Sequence, residues 1–269
     1  MDTVIVLRAE GTVFRVPKSI LAAGSSVFQS MFEFPQPAPG SEAAMAEETI
    51  DGNPVVRLHD SAKEVEAFLG AILDSSYFMP PPKAVDFHEL LGILRLSHKY
   101  DVKYLFQRAI EHLETIYPIA LYELDAIDKH RITGYDETEV AFDLTTILVL
   151  HEVGATWLLP YAYYNAAETC AEGLLSSGPW SQLSPDMQCT FIHLLALQLM
   201  GTERLYHALT SPSKCTTSDA CDLTKFRFLA TGDRRNRLDQ SPLWYKSREA
   251  LTASQTVRPV LCIFQCRVL

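Results

Sequence analysis

No stretch of this 269-residue chain stays apolar for long enough to span a bilayer. The opening Met1-Asp-Thr-Val has neither the basic region nor the small-residue cleavage site of a secretory signal. Together these lead to the expectation of a cytoplasmic or nuclear protein with no membrane partner. Its six cysteines are then expected to be mostly reduced. Basic charge is also scarce, with 23 Lys and Arg against 33 Asp and Glu and a net charge of −10. That balance disfavours phosphate-driven binding, and no direct nucleic-acid partner is expected.

The signatures of catalysis are missing too. There is no Gly-rich phosphate loop and no Gly-x-Ser-x-Gly elbow. His88-Glu89 and His151-Glu152 each begin like the zinc-protease pattern. Gly92 and Ala155 stand where its second His is required. Cys215 with Cys221, and Cys262 with Cys266, invite a four-thiolate zinc site. Their spacings are wider than in the common knuckles and the two pairs lie far apart, so free structural cysteine is the expectation. The chain is therefore expected to be no enzyme, with no metal and no cofactor.

What is present is a chain 48% hydrophobic, enough for a sizeable core and for two domains. Val4 to Leu7 is a short unbroken apolar run that suits a strand buried on both faces. Gly11 falls where a turn needs positive φ or a close backbone approach. Phe14 and Val16 alternate with Val13 and Arg15, the period of a strand. Pro17 suits the first turn of a helix that Gly24 ends, and Ser25 or Ser26 can cap the next. Val27, Phe28, Met31 and Phe32 then form one apolar face.

Pro35 to Gly40 opens a stretch that continues to Asn53-Pro54 and reads as a flexible surface insertion. Val55 to Leu58 reads as a third strand, and Ser61-Ala-Lys-Glu64 as a capping box. Behind it, Val65, Phe68, Leu69, Ile72 and Leu73 make a helical stripe. Pro80 to Pro82 breaks the chain. Asp86 with Glu89 caps a helix carrying Leu90, Leu91, Leu94 and His98. Asp101 is expected to cap another, with Val102, Leu105, Phe106, Ala109, Ile110 and Leu113 on one face.

These residues resemble a BTB/POZ domain over positions 3 to about 115. That family opens with a hairpin ending in Phe, a short helix carrying Lys-x-Ile-Leu, and a helix Ser-x-x-Phe-x-x-Met-Phe. Here they are Phe14, Lys18 to Leu21, and Ser25 to Phe32. Val65-Glu-Ala-Phe-Leu69 and Leu94-Arg-Leu-Ser-His-Lys-Tyr-Asp-Val-Lys-Tyr-Leu105 match its later patterns. Two departures stand out. Pro17 replaces a common His, and the first strand begins almost at Met1, without the preceding segment that swaps between subunits in many dimers. Val4 is accordingly expected to begin a sheet edge that needs covering.

The resemblance implies an α+β fold, a small sheet flanked by a helical cluster, followed by an all-α extension. The expected organisation is a BTB/POZ domain at 1–115, a helical extension at 116–210 and an irregular region at 211–269. Asp136 and Glu139 cap an expected helix with Val140, Leu144, Ile147, Leu148 and His151 on one side, and Gly154 ends it. Trp157-Leu-Leu-Pro-Tyr-Ala-Tyr-Tyr164 resembles the helical extension of BTB proteins of filamentous and mushroom-forming fungi, with Tyr161, Tyr163 and Tyr164 packing it. Ser184-Pro185 reads as a helix start with Phe191, Leu194 and Leu195 behind it. Arg234, Arg235 and Arg237 read as a solvated charge run. The unexpectedly apolar Val257 to Leu269 reads as a strand, a docking tail or an unnatural end.

The implied function is protein–protein interaction, as an adaptor or assembly scaffold. One form of it is a substrate adaptor for a cullin-type ubiquitin ligase, and the alternative is a transcriptional regulator or corepressor scaffold. A cullin would grip the loop Asp74 to Met79 and the helices after it, making Tyr77, Phe78, Tyr100 and Tyr104 the candidate partner-binding residues. The loop lacks the hydrophobic-x-Glu motif that such adaptors often carry. Ile5, Leu7, Ile20, Leu21, Val27, Phe28 and Met31 are the candidate interface of a homodimer.

Overall fold

The structure is a computed structural model that describes residues 4–33, 49–120, 131–135, 140–167 and 171–210, with backbone alone for 171, 172 and 198–210. Two compact units divide the chain. The first joins Met1–Glu137 with Val149–Tyr161, and the second joins Thr138–Leu148 with Ala162–Leu269.

Strands β1 (Val4–Ala9) and β2 (Thr12–Pro17) form an antiparallel hairpin in the register Ile5 opposite Val16 and Leu7 opposite Phe14. Helices α1 (Lys18–Gly24) and α2 (Ser26–Glu33) follow. Strands β3 (Thr49–Ile50) and β4 (Asn53–Leu58) form a second hairpin, and β4 runs parallel to β1. The sheet order is β2-β1-β4-β3, so β1 is an inner strand. This corrects the expectation that Val4 begins a sheet edge. The unbroken apolar run is the reason: Ile5, Val6, Leu7 and Ala9 are all buried, which only an inner strand covered on both faces allows.

Two turns differ from expectation. The positive φ of the first hairpin falls on Glu10 (51°) rather than on Gly11. The second turn places both Asp51 (50°) and Gly52 (76°) at positive φ, as a two-residue hairpin of primed type requires. Residues 49–54 are thus a hairpin and not part of a loose insertion, and the rest of that insertion, 35–48, lies outside the described residues.

The helical cluster of this unit consists of α3 (Ala62–Leu73), α4 (Phe87–Lys99) and α5 (Lys103–Glu114). The stripe residues Val65, Phe68, Leu69, Leu90, Leu91, Leu94, Leu105, Ala109 and Leu113 are buried, as their spacing predicts. Helices α3 and α4 approach closely at Gly92, where a Cβ would come within 2.9 Å of the Glu64 side chain. Strands β5 (Val85–Asp86) and β6 (Ile132–Thr133) add a small parallel pair that the sequence reading did not anticipate.

The helix ends show how local chemistry is satisfied. Asp86 caps α4 as expected, accepting from the backbone of His88 at 2.9 Å and Glu89 at 3.1 Å. Ser25 accepts from the backbone of Phe28 at 3.0 Å. The capping box at Ser61 does not form. The Glu10 carboxylate accepts from the Ala62 backbone at 3.3 Å instead, and Glu64 turns to Arg95 at 2.7 Å. Asp101 does not cap α5. It takes φ 51° beyond the end of α4, where the Val102 N–H donates to Ser97 at 2.8 Å and the Asp101 N–H to His98 at 3.3 Å. That is a Schellman closure, and the freed Asp101 carboxylate accepts from the Ser26 hydroxyl.

Helix α6 (Val140–Glu152) ends in the same closure, with Gly154 at φ 73° and the Ala155 N–H donating to Leu150 at 2.9 Å. Its expected caps, Asp136 and Glu139, lie outside the described residues. Val140, Leu144 and Ile147 are buried, but His151 is exposed, and Val149 and Leu150 fill the core in its place. Helices α7 (Leu159–Ala166), α8 (Ala171–Ser176) and α9 (Pro185–Thr210) follow. In the second unit Asn165 donates to the Asp143 carboxylate at 2.8 Å. The Phe191 ring packs 4.7 Å from Tyr163 and 5.6 Å from Trp180. Ser184 accepts from the Met187 backbone at 3.3 Å and starts α9 as predicted. The arginines at 234–237 and the cysteines at 215, 221, 262 and 266 lie outside the described residues.

Candidate interaction surface

The loop between α3 and β5 is held in place by α5. Arg108 donates to the Phe78 carbonyl, and His112 Nε2–H donates to the Met79 carbonyl at 2.8 Å. The two side chains stand one helical turn apart on α5, so both reach the same stretch of backbone. Burial pushes the His112 imidazole below its ordinary range, which keeps it neutral with the proton on the nitrogen that faces Met79. At the start of the loop, the Asp74 carboxylate accepts from the Ser76 backbone at 2.8 Å and its hydroxyl at 2.7 Å. The Ser76 hydroxyl and N–H together hold that carboxyl below the usual range.

This anchoring decides which side chains face outward. Phe78 is 2% exposed, and its ring lies 5.2 Å from that of His112. It is a core residue rather than the exposed anchor expected of it. Tyr77 is exposed at 43%. Its ring lies over Gly70, where an added Cβ would meet it at 3.3 Å. Partial burial, and then a hydrogen bond to Glu89, push its hydroxyl up to about 12. Tyr104 is 45% exposed, with the Arg108 guanidinium 5.9 Å from its ring centre. Leu73, expected in the buried stripe of α3, is exposed instead, and Met79 is exposed at the end of the loop. Arg108 and His112 were missed in the sequence. Their i, i+4 spacing was the available signal, but nothing local reveals that their partners are carbonyls thirty residues away.

Tyr100 belongs with Phe78 among the corrections. It is buried, with its ring 4.7 Å from Phe28 and 5.7 Å from Phe68. Its hydroxyl donates to Asp60 at 2.6 Å, while Lys99 pairs with the other oxygen of that carboxylate at 2.6 Å. Burial first, and Asp60 second, raise the Tyr100 hydroxyl well above its ordinary value. It ties the end of α4 to the start of α3 and offers nothing to a partner.

The expected dimer residues divide in the same way. Ile5 and Leu7 lie in the inner strand, and Leu21 and Phe28 point inward from their helices; all four are buried. They serve the core because a helix can show an inner stripe and an outer one, and these occupy the inner. Ile20 and Val27 are exposed and Met31 is half-buried. Val27 and Met31, one turn apart, line a shallow open groove with Ser26 and Ser30.

The two His-Glu pairs have other employment. Glu89 holds the Tyr77 hydroxyl, and Glu152 accepts from Arg95 at 2.9 Å. Arg95 thereby joins α3, α4 and the end of α6, and burial raises Glu64 despite the guanidinium beside it. Among the described residues no group of three or more His, Cys, Asp or Glu could hold a metal ion. Among them, too, no helix is long and apolar enough to cross a membrane.

No curated protein matches the chain. The family model of the BTB/POZ domain matches residues 1–117. Hairpin, paired short helices, the parallel strand β4 and the helical cluster all fall within that span, so residues 1–117 are a BTB/POZ domain and the chain carries a protein–protein interaction module.

Proposed function

We propose that the chain is an adaptor or assembly scaffold whose partner docks on the loop after α3 and the outer face of α5, and that a cullin is the partner. The observation that carries this reading is the clamped loop. Arg108 and His112 fix the backbone of Phe78 and Met79, which leaves Tyr77 and Met79 exposed on the anchored turn, with Tyr104 exposed on α5 one helical turn before Arg108. A surface ordered before binding loses less entropy on association than a mobile one. Tyrosine and arginine are, with tryptophan, the residues enriched among those that dominate interface energetics. The corepressor-scaffold alternative has no comparable observation among the described residues.

Calorimetric titration of the purified chain with a cullin N-terminal domain tests the reading. Tyr104→Ala is expected to weaken binding by about 2 kcal/mol, roughly thirtyfold, without lowering the unfolding midpoint. A wild-type chain that does not bind the cullin domain would remove the cullin and leave the interaction module without a named partner.

A further inference from the structure

The outer face of α9 exposes more apolar surface than its own unit uses. Phe191 points inward and is fully buried, and Leu194 and Leu195 are half-buried beside it. The opposite side carries Cys189, Ile192, Ala196 and Leu197, all exposed, with Ile192 at 61% and Leu197 at 50%. At 100° per residue Cys189, Ile192 and Ala196 fall within about 60° of the helix circumference, and Leu197 stands about 80° beyond Cys189 with the exposed His193 between them. An exposed apolar strip opposite the packed side gains free energy when another apolar segment covers it.

We propose that the chain's own last residues, 257–269, dock on this outer face of α9. Among those thirteen positions only Arg258, Gln265 and Arg267 are polar. They follow a connecting stretch, 211–256, that is polar for most of its length and starts where α9 ends. The geometry permits the return. Ile192 lies about 27 Å back along the helix from Thr210, at 1.5 Å per residue. A random coil of 46 residues has a root-mean-square span of roughly 40 Å, more than the distance to be covered. Tethering then gives the tail an effective concentration on the order of millimolar, which a second copy of the chain matches only at very high protein concentration. The tail has an apolar surface to hide, and the helix has one to cover.

Cys189 is a built-in reporter, since it lies one turn before Ile192 on the same exposed face. Its alkylation rate is measured by mass spectrometry in the full chain and in the full chain carrying Ile263→Asp and Phe264→Asp. Both tail substitutions lie outside the described folded elements, and circular dichroism of the double variant checks that the helices are kept. The proposal expects Cys189 to react about tenfold more slowly in the unmodified chain, the effect of a tail bound about nine-tenths of the time. That protection is independent of protein concentration, and Ile192→Asp abolishes it. Equal rates in the two chains overturn the proposal. So does protection that grows with protein concentration, which would assign the face to a second copy.

Discussion

In the BTB/POZ unit Phe28, Phe68, Phe78, Phe87 and Tyr100 are buried, while on α5 Tyr104 is exposed and Phe106 half-buried. Along α9 the described residues run the other way, with Ile192 and Leu197 facing out while Phe191 alone is deeply packed. The first region has stripes as wide as the surface that covers them. Among the described residues of the second, Ile192 and Leu197 stand exposed opposite the one packed side. A close fit between stripe and cover lets a few exposed side chains, such as Tyr104, stand out as candidates for partner contact. Where the fit is poor, exposure by itself does not separate a face for a partner from a face for another segment of the same chain.

The sharpest way to break this comparison lies within the clamped loop. Phe78→Ala is expected to lower stability by about 3–5 kcal/mol, as for other buried aromatics, while its neighbour Tyr77→Ala costs less than about 1 kcal/mol. Denaturant midpoints measure both, and equal losses would mean that the clamp does not sort inner from outer. Next in size is Gly92→Ala. Its Cβ would meet the Glu64 side chain at 2.9 Å and the Glu64 backbone at 3.3 Å. A loss of roughly 1–3 kcal/mol is expected, because the backbone of α3 cannot step aside as a flexible side chain would.

What was legible in the sequence follows the same division. Strands and stripes with clean periodicity, such as β1 and the buried face of α5, were readable because burial enforces their spacing. The β3–β4 hairpin carried an Asp-Gly turn signal, yet it was absorbed into the Glu-, Ala- and Ser-rich stretch before it. Of the four candidate partner residues, Tyr77 and Tyr104 are exposed, while Phe78 and Tyr100 are buried. Adjacent aromatics in a loop look alike in sequence. Hydrogen bonds from Arg108 and His112 to the loop backbone choose between them, and those partners are distant along the chain. Asp60, forty residues before Tyr100, fixes that side chain in the same non-local way.

Helix starts offer a smaller contrast. Asp86→Ala removes a cap with two backbone donors and is expected to cost about 1 kcal/mol. Ser61→Ala is expected to stay within about 0.5 kcal/mol, because that hydroxyl makes no cap bond. Thermal or chemical unfolding of the two variants side by side distinguishes a real cap from a sequence match to one.

The shallowest effect is on pH. The folded state holds the His112 imidazole below its unfolded value of about 6.5, so the unfolded chain binds more protons as pH falls. Stability from this group is present above the unfolded value and is lost as pH drops toward the folded one. His112→Asn should flatten the decline between about pH 7 and pH 5. An unchanged slope would place the sensitivity elsewhere, with His151, lowered in the same direction by burial, as the next group to replace.

The central claim, that this module receives its partner on the clamped loop and α5, is tested most directly by hydrogen exchange of the chain with and without a bound cullin N-terminal domain. The account predicts slowed exchange at 73–79 and 103–108, with residues 20–31 unchanged. Protection confined to 20–31, with the loop and α5 exchanging as before, would contradict it.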